Sequence, residues 1–283
     1  MDLAFAQPYA VEPALATLAA HAIPGAEITD RAERTHTRLL AGPSGPVAVT
    51  VRFLTDRVIV DVDDESDPAE SAQLGPLIRR WLDLDVDPAV VGTHFEHDPV
   101  IGPLVFARPG LRVLGYPDGF EAAVTTVLGQ QVSVAACRTF SGRLVDAFGT
   151  PGPAGLTVFP RPGRLAAADP SELQSAVGLT GARSRTLHAL AVACADGLSI
   201  DYDSDHAEVR RRLLAIPGIG PWSADYLAVR ALGDRDAFVP GDLVLRRALG
   251  KVSATQADAV SAAWSPLRAY ALFHLWTATA YAE

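Results

Sequence analysis

The chain has 283 residues, 49% of them hydrophobic and 20% charged, which is more than a single domain usually needs, so two folded units are expected. A formal net charge of −9 excludes a non-specific nucleic-acid coat, whose surface must be basic throughout to neutralise phosphates. No apolar stretch approaches the ~18 residues a membrane span needs, and no basic segment precedes an apolar run at the amino end, so the expectation is a soluble cytoplasmic protein with no membrane partner.

The charge is uneven. Met1 to Gly119 carries 18 acidic and 9 basic residues, whereas Phe120 to Glu283 carries 15 of each, and His206 to Lys251 is locally positive with 8 basic to 5 acidic. In chain order, a short helix is predicted over Val11–His21, then strands over Thr35–Leu40, Val47–Phe53 and Val58–Val62. Val47, Val49, Val51 and Phe53, then Val58, Val60 and Val62, alternate so as to cover one sheet face. Pro43-Ser44-Gly45-Pro46 and Thr55-Asp56-Arg57 supply the turns. A second helix is predicted over Ala69–Leu82, its apolar face built from Leu74, Leu77, Ile78 and Trp81. This reads as a compact α+β unit with an acidic exposed side.

Pro99–Tyr116 is rich in Pro and Gly and reads as a connector, after which strand signals stop and an all-helical unit is expected. Phe120, Val124, Val127 and Leu128 mark one helix face. Gly129-Gln130-Gln131-Val132 interrupts it, and Ser133 caps a helix that stops at Gly149. Further helices are predicted over Ser171–Val177, Arg183–Ala195, Ala207–Ala215, Ser223–Leu232, Leu243–Leu249, Thr255–Trp264 and Leu267–Tyr281. The two cysteines, Cys137 and Cys194, lack the spacing of a disulfide, zinc or iron–sulfur site and read as buried thiols.

The segment Leu213-Leu214-Ala215-Ile216-Pro217-Gly218-Ile219-Gly220-Pro221-Trp222-Ser223-Ala224 carries the strongest signal. One helix ends, a turn places two glycines around one apolar residue, and a second helix begins with Pro221 near its first turn. Glycines admit close approach of a ligand, and free N–H groups at the following helix start form an anion site that suits a DNA phosphate. A plain αα-hairpin fits the same residues. Asp242 stands 20 residues beyond Trp222, where it can cap the next helix. The roles are compatible, because a helix start stabilises an ionised carboxylate and an oxocarbenium-like sugar transition state needs one opposite it.

These residues resemble the helix-hairpin-helix DNA glycosylases, whose hairpin is followed by a Gly/Pro loop and an essential Asp. Phe120-Glu121-Ala122-Ala123-Val124 through Leu128-Gly129-Gln130-Gln131-Val132-Ser133-Val134-Ala135 is similar to a segment of the DNA-3-methyladenine glycosylase II branch. Pro8-Tyr9, His21-Ala22-Ile23-Pro24-Gly25 and the closing Tyr270-Ala271-Leu272-Phe273-His274-Leu275-Trp276 extend the likeness over nearly the whole chain. The resemblance implies an α+β amino-terminal domain over residues 1–112 and an all-α helix-hairpin-helix catalytic domain over 113–283.

It implies a monomeric base-excision repair enzyme that flips an alkylated base from double-stranded DNA and hydrolyses its N-glycosidic bond. Asp242 takes the catalytic carboxylate role, and Trp222, Tyr226 and Trp276 line the base pocket, where electron-rich faces favour cationic alkylated purines. Gln130, Gln131, Gly218, Ile219, Gly220 and Ser223 contact DNA, with Gln130 and Gln131 placed where the family inserts a side chain into the gap left by the base. No cofactor is implied, and no firm metal site, although the family likeness suggests a monovalent cation at the carbonyls of Leu214, Ile216 and Ile219.

The family's strand-nicking members carry a lysine where this chain has Trp222, and the sole lysine is Lys251, so simple hydrolysis is expected. Some relatives have a bulky apolar wedge where Gln131 stands and aromatics where Thr17 and Leu243 stand. These departures leave open the preferred lesion and a rival reading as a non-catalytic DNA-damage binding protein. An acidic α+β enzyme acting on small molecules is the other alternative.

Overall fold

In the computed structural model, which describes residues 1–42, 44–63 and 68–280, the first unit is an antiparallel sheet of five strands. They are β1 (Asp2–Ala4), β2 (Glu27–Asp30), β3 (Thr35–Gly42), β4 (Gly45–Phe53) and β5 (Arg57–Asp63), in the order β1-β5-β4-β3-β2. The alternation seen in sequence fixes the register: Val51 lies opposite Val60 and Phe53 opposite Val58, and all four side chains are buried. Pro43, in the expected first turn, lies outside the described residues. Helix α1 (Val11–His21) lies against β2 and β3, and α2 (Pro68–Trp81) contributes Leu74, Ile78 and Trp81 to the core.

The expected connector is more ordered than its Pro and Gly content indicates. Preceded by α3 (Pro88–Phe95), whose cap Asp87 accepts from the Ala89 N–H at 2.9 Å, it contains α4 (Gly102–Ala107). Arg112, 2% exposed, then pins the chain by donating from Nη1 to the Val86 carbonyl at 2.6 Å and from Nη2 to that of Ala6 at 2.5 Å.

The helical part comprises α5 (Gly119–Gly129), α6 (Val134–Phe148), α7 (Pro162–Ala166), α8 (Pro170–Val177), α9 (Gly181–Ala195), α10 (His206–Leu214), α11 (Pro221–Arg230), α12 (Leu243–Ala248), α13 (Ala254–Ser261) and α14 (Arg268–Ala280). It is not wholly helical. Between α6 and α7 a small hairpin pairs β6 (Thr150–Pro151) with β7 (Thr157–Val158), strands too short to leave a periodic signal. Tyr281, expected at the end of the last helix, lies outside the described residues. Cys137 and Cys194 are free but half-buried rather than buried.

Two cores result. One gathers α5, α6 and α8–α11 around Val124, Leu128, Leu144, Leu187 and Leu227. The other runs from the sheet through Phe53 and Trp81 to Trp264, Tyr270 and Phe273, so α14 packs with the amino-terminal unit. A polar contact supports that packing: the Tyr270 hydroxyl donates to Asp83 Oδ2 at 2.6 Å. Among the described residues no helix is long and apolar enough to cross a membrane.

The inward face of β3 carries Arg38, 5% exposed, and a buried cation persists only when paired. It donates to Glu27 at 2.8 Å within the sheet unit and to Glu121 of α5 at 2.6 Å, tying the two parts together. Two buried carboxyls share one guanidinium, so their combined titration is displaced upward: burial raises both, Glu121 to about 7. The native state therefore binds a proton at pH values where the unfolded chain has released it, and stability from this cluster falls as pH rises from ~4.5 through ~7. Glu121→Gln is expected to flatten that stretch of the stability profile, and urea melts at pH 5 and pH 8 measure it. Equal pH dependence in both proteins would refute the assignment.

Candidate active site

Helix α10 ends at Leu214, and Pro217–Gly220 turns the chain into α11. Gly218 has φ +93°, and a Cβ there would lie 2.0 Å from Thr186 Oγ1, so only glycine fits on two counts. Gly220 differs: φ is −106°, and nothing lies within 4 Å of where its Cβ would stand. Its backbone faces open space, with the first N–H groups of α11 beside it. Ile219 is 6% exposed and packs into the helical core, so its side chain is a floor for the turn and its backbone alone is available to a ligand. The Ile216 carbonyl, one of the three expected to hold a cation, accepts the Ile219 N–H at 3.1 Å and keeps its second lone pair.

Asp242 caps α12, and Oδ1 accepts the Leu245 N–H at 2.8 Å. The same oxygen accepts the Trp276 indole N–H at 3.1 Å, and Oδ2 accepts that of Trp222 at 3.3 Å. Three N–H donors from three helices thus converge on one half-buried carboxylate. Sequence reasoning assigns Trp222 and Trp276 to the base pocket; their orienting hydrogen bonds to Asp242 are a role it missed.

Beside the carboxylate opens a cavity of about 260 Å³ whose lining includes Trp222, Tyr226, Trp276 and Asp242, so all four expected pocket residues come together. Trp222 stacks on Tyr226 at 5.4 Å and 16°, and Tyr226 meets Trp276 at 6.0 Å and 44°. A larger cleft, about 680 Å³, lies along Ala224, Asp225 and Ala228 on another face of α11 and does not contain Asp242.

His21, Tyr116, Thr125, Arg138 and Arg230 complete the polar side of the smaller cavity and were not foreseen. Arg230 had a signal: with Trp222 and Tyr226 it repeats every four residues along one face of α11. Its guanidinium lies 4.9 Å from the Tyr116 ring centre and 5.7 Å from that of Tyr226, and it donates to the Tyr226 hydroxyl at 3.2 Å. The pocket aromatics therefore already hold a cation of the protein's own. Burial, then Arg230 and Arg138, push His21 down to about 3, so its imidazole is neutral at physiological pH. Burial pushes the Cys137 thiol up, which removes it as a nucleophile.

The other expected residues divide. Gln131 has φ +56° and is exposed at the tip between α5 and α6. Gln130 does not project with it; its amide is hydrogen-bonded to the hairpin at Gly218 and to Ser223, which is 3% exposed. Thr17 donates to the Pro13 carbonyl at 2.9 Å, and Leu243 is 60% exposed beside the carboxylate. Among the described residues, no group of three or more His, Cys, Asp or Glu side chains is placed to hold a metal ion.

An antiparallel sheet unit joined to a helical body, with a two-glycine hairpin ahead of a capped, indole-bound aspartate, defines the helix-hairpin-helix glycosylase architecture. Residues 1–118 match the AlkA N-terminal domain family and residues 124–264 the HhH-GPD superfamily of base excision DNA repair proteins. The chain is 41% identical over 280 residues to the probable bifunctional transcriptional activator/DNA repair enzyme AlkA of Mycobacterium tuberculosis (strain CDC 1551 / Oshkosh), covering 95% of this chain and 55% of that protein. It thus spans little more than half the length of that relative.

Against DNA-3-methyladenine glycosylase 2 of Escherichia coli K12 it is 35% identical over 205 residues, covering 70% of this chain and 69% of the relative. The 3-methyladenine DNA glycosylase structure from Archaeoglobus fulgidus superposes with a TM-score of 0.85 at 18% identity, over 98% of this chain and 97% of the other, and shows the shared fold. The chain belongs to the DNA-3-methyladenine glycosylase 2 branch of the HhH-GPD superfamily.

The openness around Gly220 yields a test of the hairpin. Since φ −106° accepts any residue and no atom crowds the position, Gly220→Asp is expected to fold normally while setting a carboxylate against any bound phosphate. Duplex affinity should fall and the slope of log K against log salt should shrink by about one. Unchanged affinity and slope in a salt titration would show that the hairpin grips no phosphate.

Proposed function

We propose that this chain is a monofunctional DNA glycosylase of base-excision repair that hydrolyses the N-glycosidic bond of alkylated bases in duplex DNA and leaves an abasic site. The observation that carries the reading is the Asp242 carboxylate, oriented by the Trp222 and Trp276 indoles at the mouth of a cavity with aromatic walls. Relatives named as DNA-3-methyladenine glycosylases support the same chemistry. Residues 113–283 supply the catalytic machinery in this scheme, while residues 1–112 close one wall of the pocket through His21.

The hairpin backbone at Gly218, Ile219 and Gly220 grips a phosphate, and Gln131 fills the space vacated by the extruded base. As the bond to the base stretches, positive charge grows on the deoxyribose. A fixed carboxylate stabilises it and accepts the proton of an attacking water. A monovalent cation at the carbonyls of Leu214, Ile216 and Ile219 would add positive charge at the phosphate. Without a lysine beside the hairpin there is no amine for a sugar Schiff base, so borohydride should trap no covalent complex.

Asp242→Asn keeps the cap geometry but removes the charge. It is expected to lower single-turnover base release from methylated duplex by about 10²–10³-fold with DNA affinity retained; near-normal release would remove Asp242 from the mechanism. Trp276→Phe deletes one N–H donor and keeps a ring. A hydrogen bond to a charged group contributes about 1.5–3 kcal/mol, so a loss of about 10- to 100-fold in the same assay is expected. A wild-type protein that binds methylated duplex yet releases no base would establish a non-catalytic damage binder instead.

A further inference from the structure

Gln130 and Gln131 are neighbours with opposite fates, and the difference defines a device that the proposed reaction does not by itself require. The main chain of Gln130 leaves α5 as its carboxyl-terminal cap, and Gln131 then turns into the left-handed region at φ +56° with its side chain in solvent. Both amide hydrogens of Gln130 are spent elsewhere. Nε2 donates to the Gly218 carbonyl and to Ser223 Oγ, each at 3.0 Å. Its own backbone carbonyl accepts Arg183 Nη2 at 2.5 Å.

Arg183 belongs to α9, and so does Thr186, one turn along the same face. Thr186 Oγ1 donates to the Pro217 carbonyl at 2.9 Å and fills the space that a Cβ on Gly218 would need. The loop tip and the hairpin are therefore fastened to each other through Gln130, and both are fastened to α9. The contacts form a closed triangle of loop, hairpin and helix.

We infer that Gln130, backed by Arg183, is a positioning residue that fixes the spacing between the phosphate-gripping turn and the Gln131 tip, rather than a side chain that enters DNA. The inference rests on the DNA-binding reading above and gives the two glutamines separate tasks. Extruding a base from a paired duplex costs a few kcal/mol. That work is recovered only if the filling side chain meets the gap while the hairpin holds its phosphate. An ångström of play between the two would be felt in extrusion, not in phosphate binding.

The test reads extrusion directly, through 2-aminopurine fluorescence beside a methylated purine in duplex DNA. Two targets are compared, one opposite its normal partner and one opposite an abasic spacer, where little pairing is left to break. Gln130→Ala, and Gln130→Glu, which keeps the shape but cannot donate to the Gly218 carbonyl, are each expected to lower extrusion at the paired target by about 10- to 100-fold. The loss at the spacer target should be under about threefold, with affinity for undamaged duplex and its salt slope unchanged. Ser223→Ala should add little on top of Gln130→Ala, giving a non-additive double-mutant cycle.

Equal losses at both targets, an altered salt slope, or additivity with Ser223→Ala would overturn the tether, as would two variants that melt like the parent and extrude normally. Extrusion by the wild type without base release would sink the glycosylase reading and leave the tether standing. A wild type that extrudes nothing would sink both.

Discussion

The arrangement depends on holding one carboxylate with three N–H donors that come from different helices. Asp242 begins α12, Trp222 sits in the first turn of α11, and Trp276 is near the end of α14. An indole donates one hydrogen bond and accepts none, so each tryptophan is committed in direction, and charge-assisted bonds of this kind are stronger than neutral ones. Moving any one of the three helices would strand a partly buried polar atom at a cost of about 1–3 kcal/mol. The position of α14 is set in turn by the amino-terminal unit, through a shared core and the Tyr270–Asp83 hydrogen bond. The sheet is thus a support for the site as well as a wall of it.

What could be read in the sequence was whatever local spacing encodes. The paired glycines, Pro221 and the cap position of Asp242 lie within a few residues of their consequences, and Val47–Phe53 and Val58–Val62 announce their strands by alternation. The losses are non-local. Strand β1 has three residues, and its partner Ile59 lies 57 positions from Asp2, so no nearby pattern marks it. Gln130 reads as a solvent-facing residue at a helix break because Gly218 and Ser223 are 88 and 93 positions away. Arg38 sits in a strand beside Leu39 and Leu40 and gives no hint of its two carboxylates, one of them 83 positions distant. Arg230 was within reach, since it continues the Trp222 and Tyr226 spacing, but a charged side chain at that spacing looks like the solvated edge of a helix.

Charge gives the remaining constraint. Aromatic faces alone would favour a cationic base, and that was the expectation from sequence. In the fold, Tyr116, Tyr226 and Phe273 already share the Arg230 guanidinium, and Arg138 also reaches the cavity. A cationic base entering beside them meets repulsion from these groups and attraction to Asp242, so part of the cation–π benefit is cancelled before binding begins. The neutral His21 imidazole and the Thr125 hydroxyl add hydrogen-bonding capacity without adding charge. Discrimination in such a pocket has to come from shape and hydrogen bonding at the polar wall. The Asp242 charge serves the sugar, where positive charge appears only as the bond to the base breaks, and so acts on the transition state more than on the bound lesion.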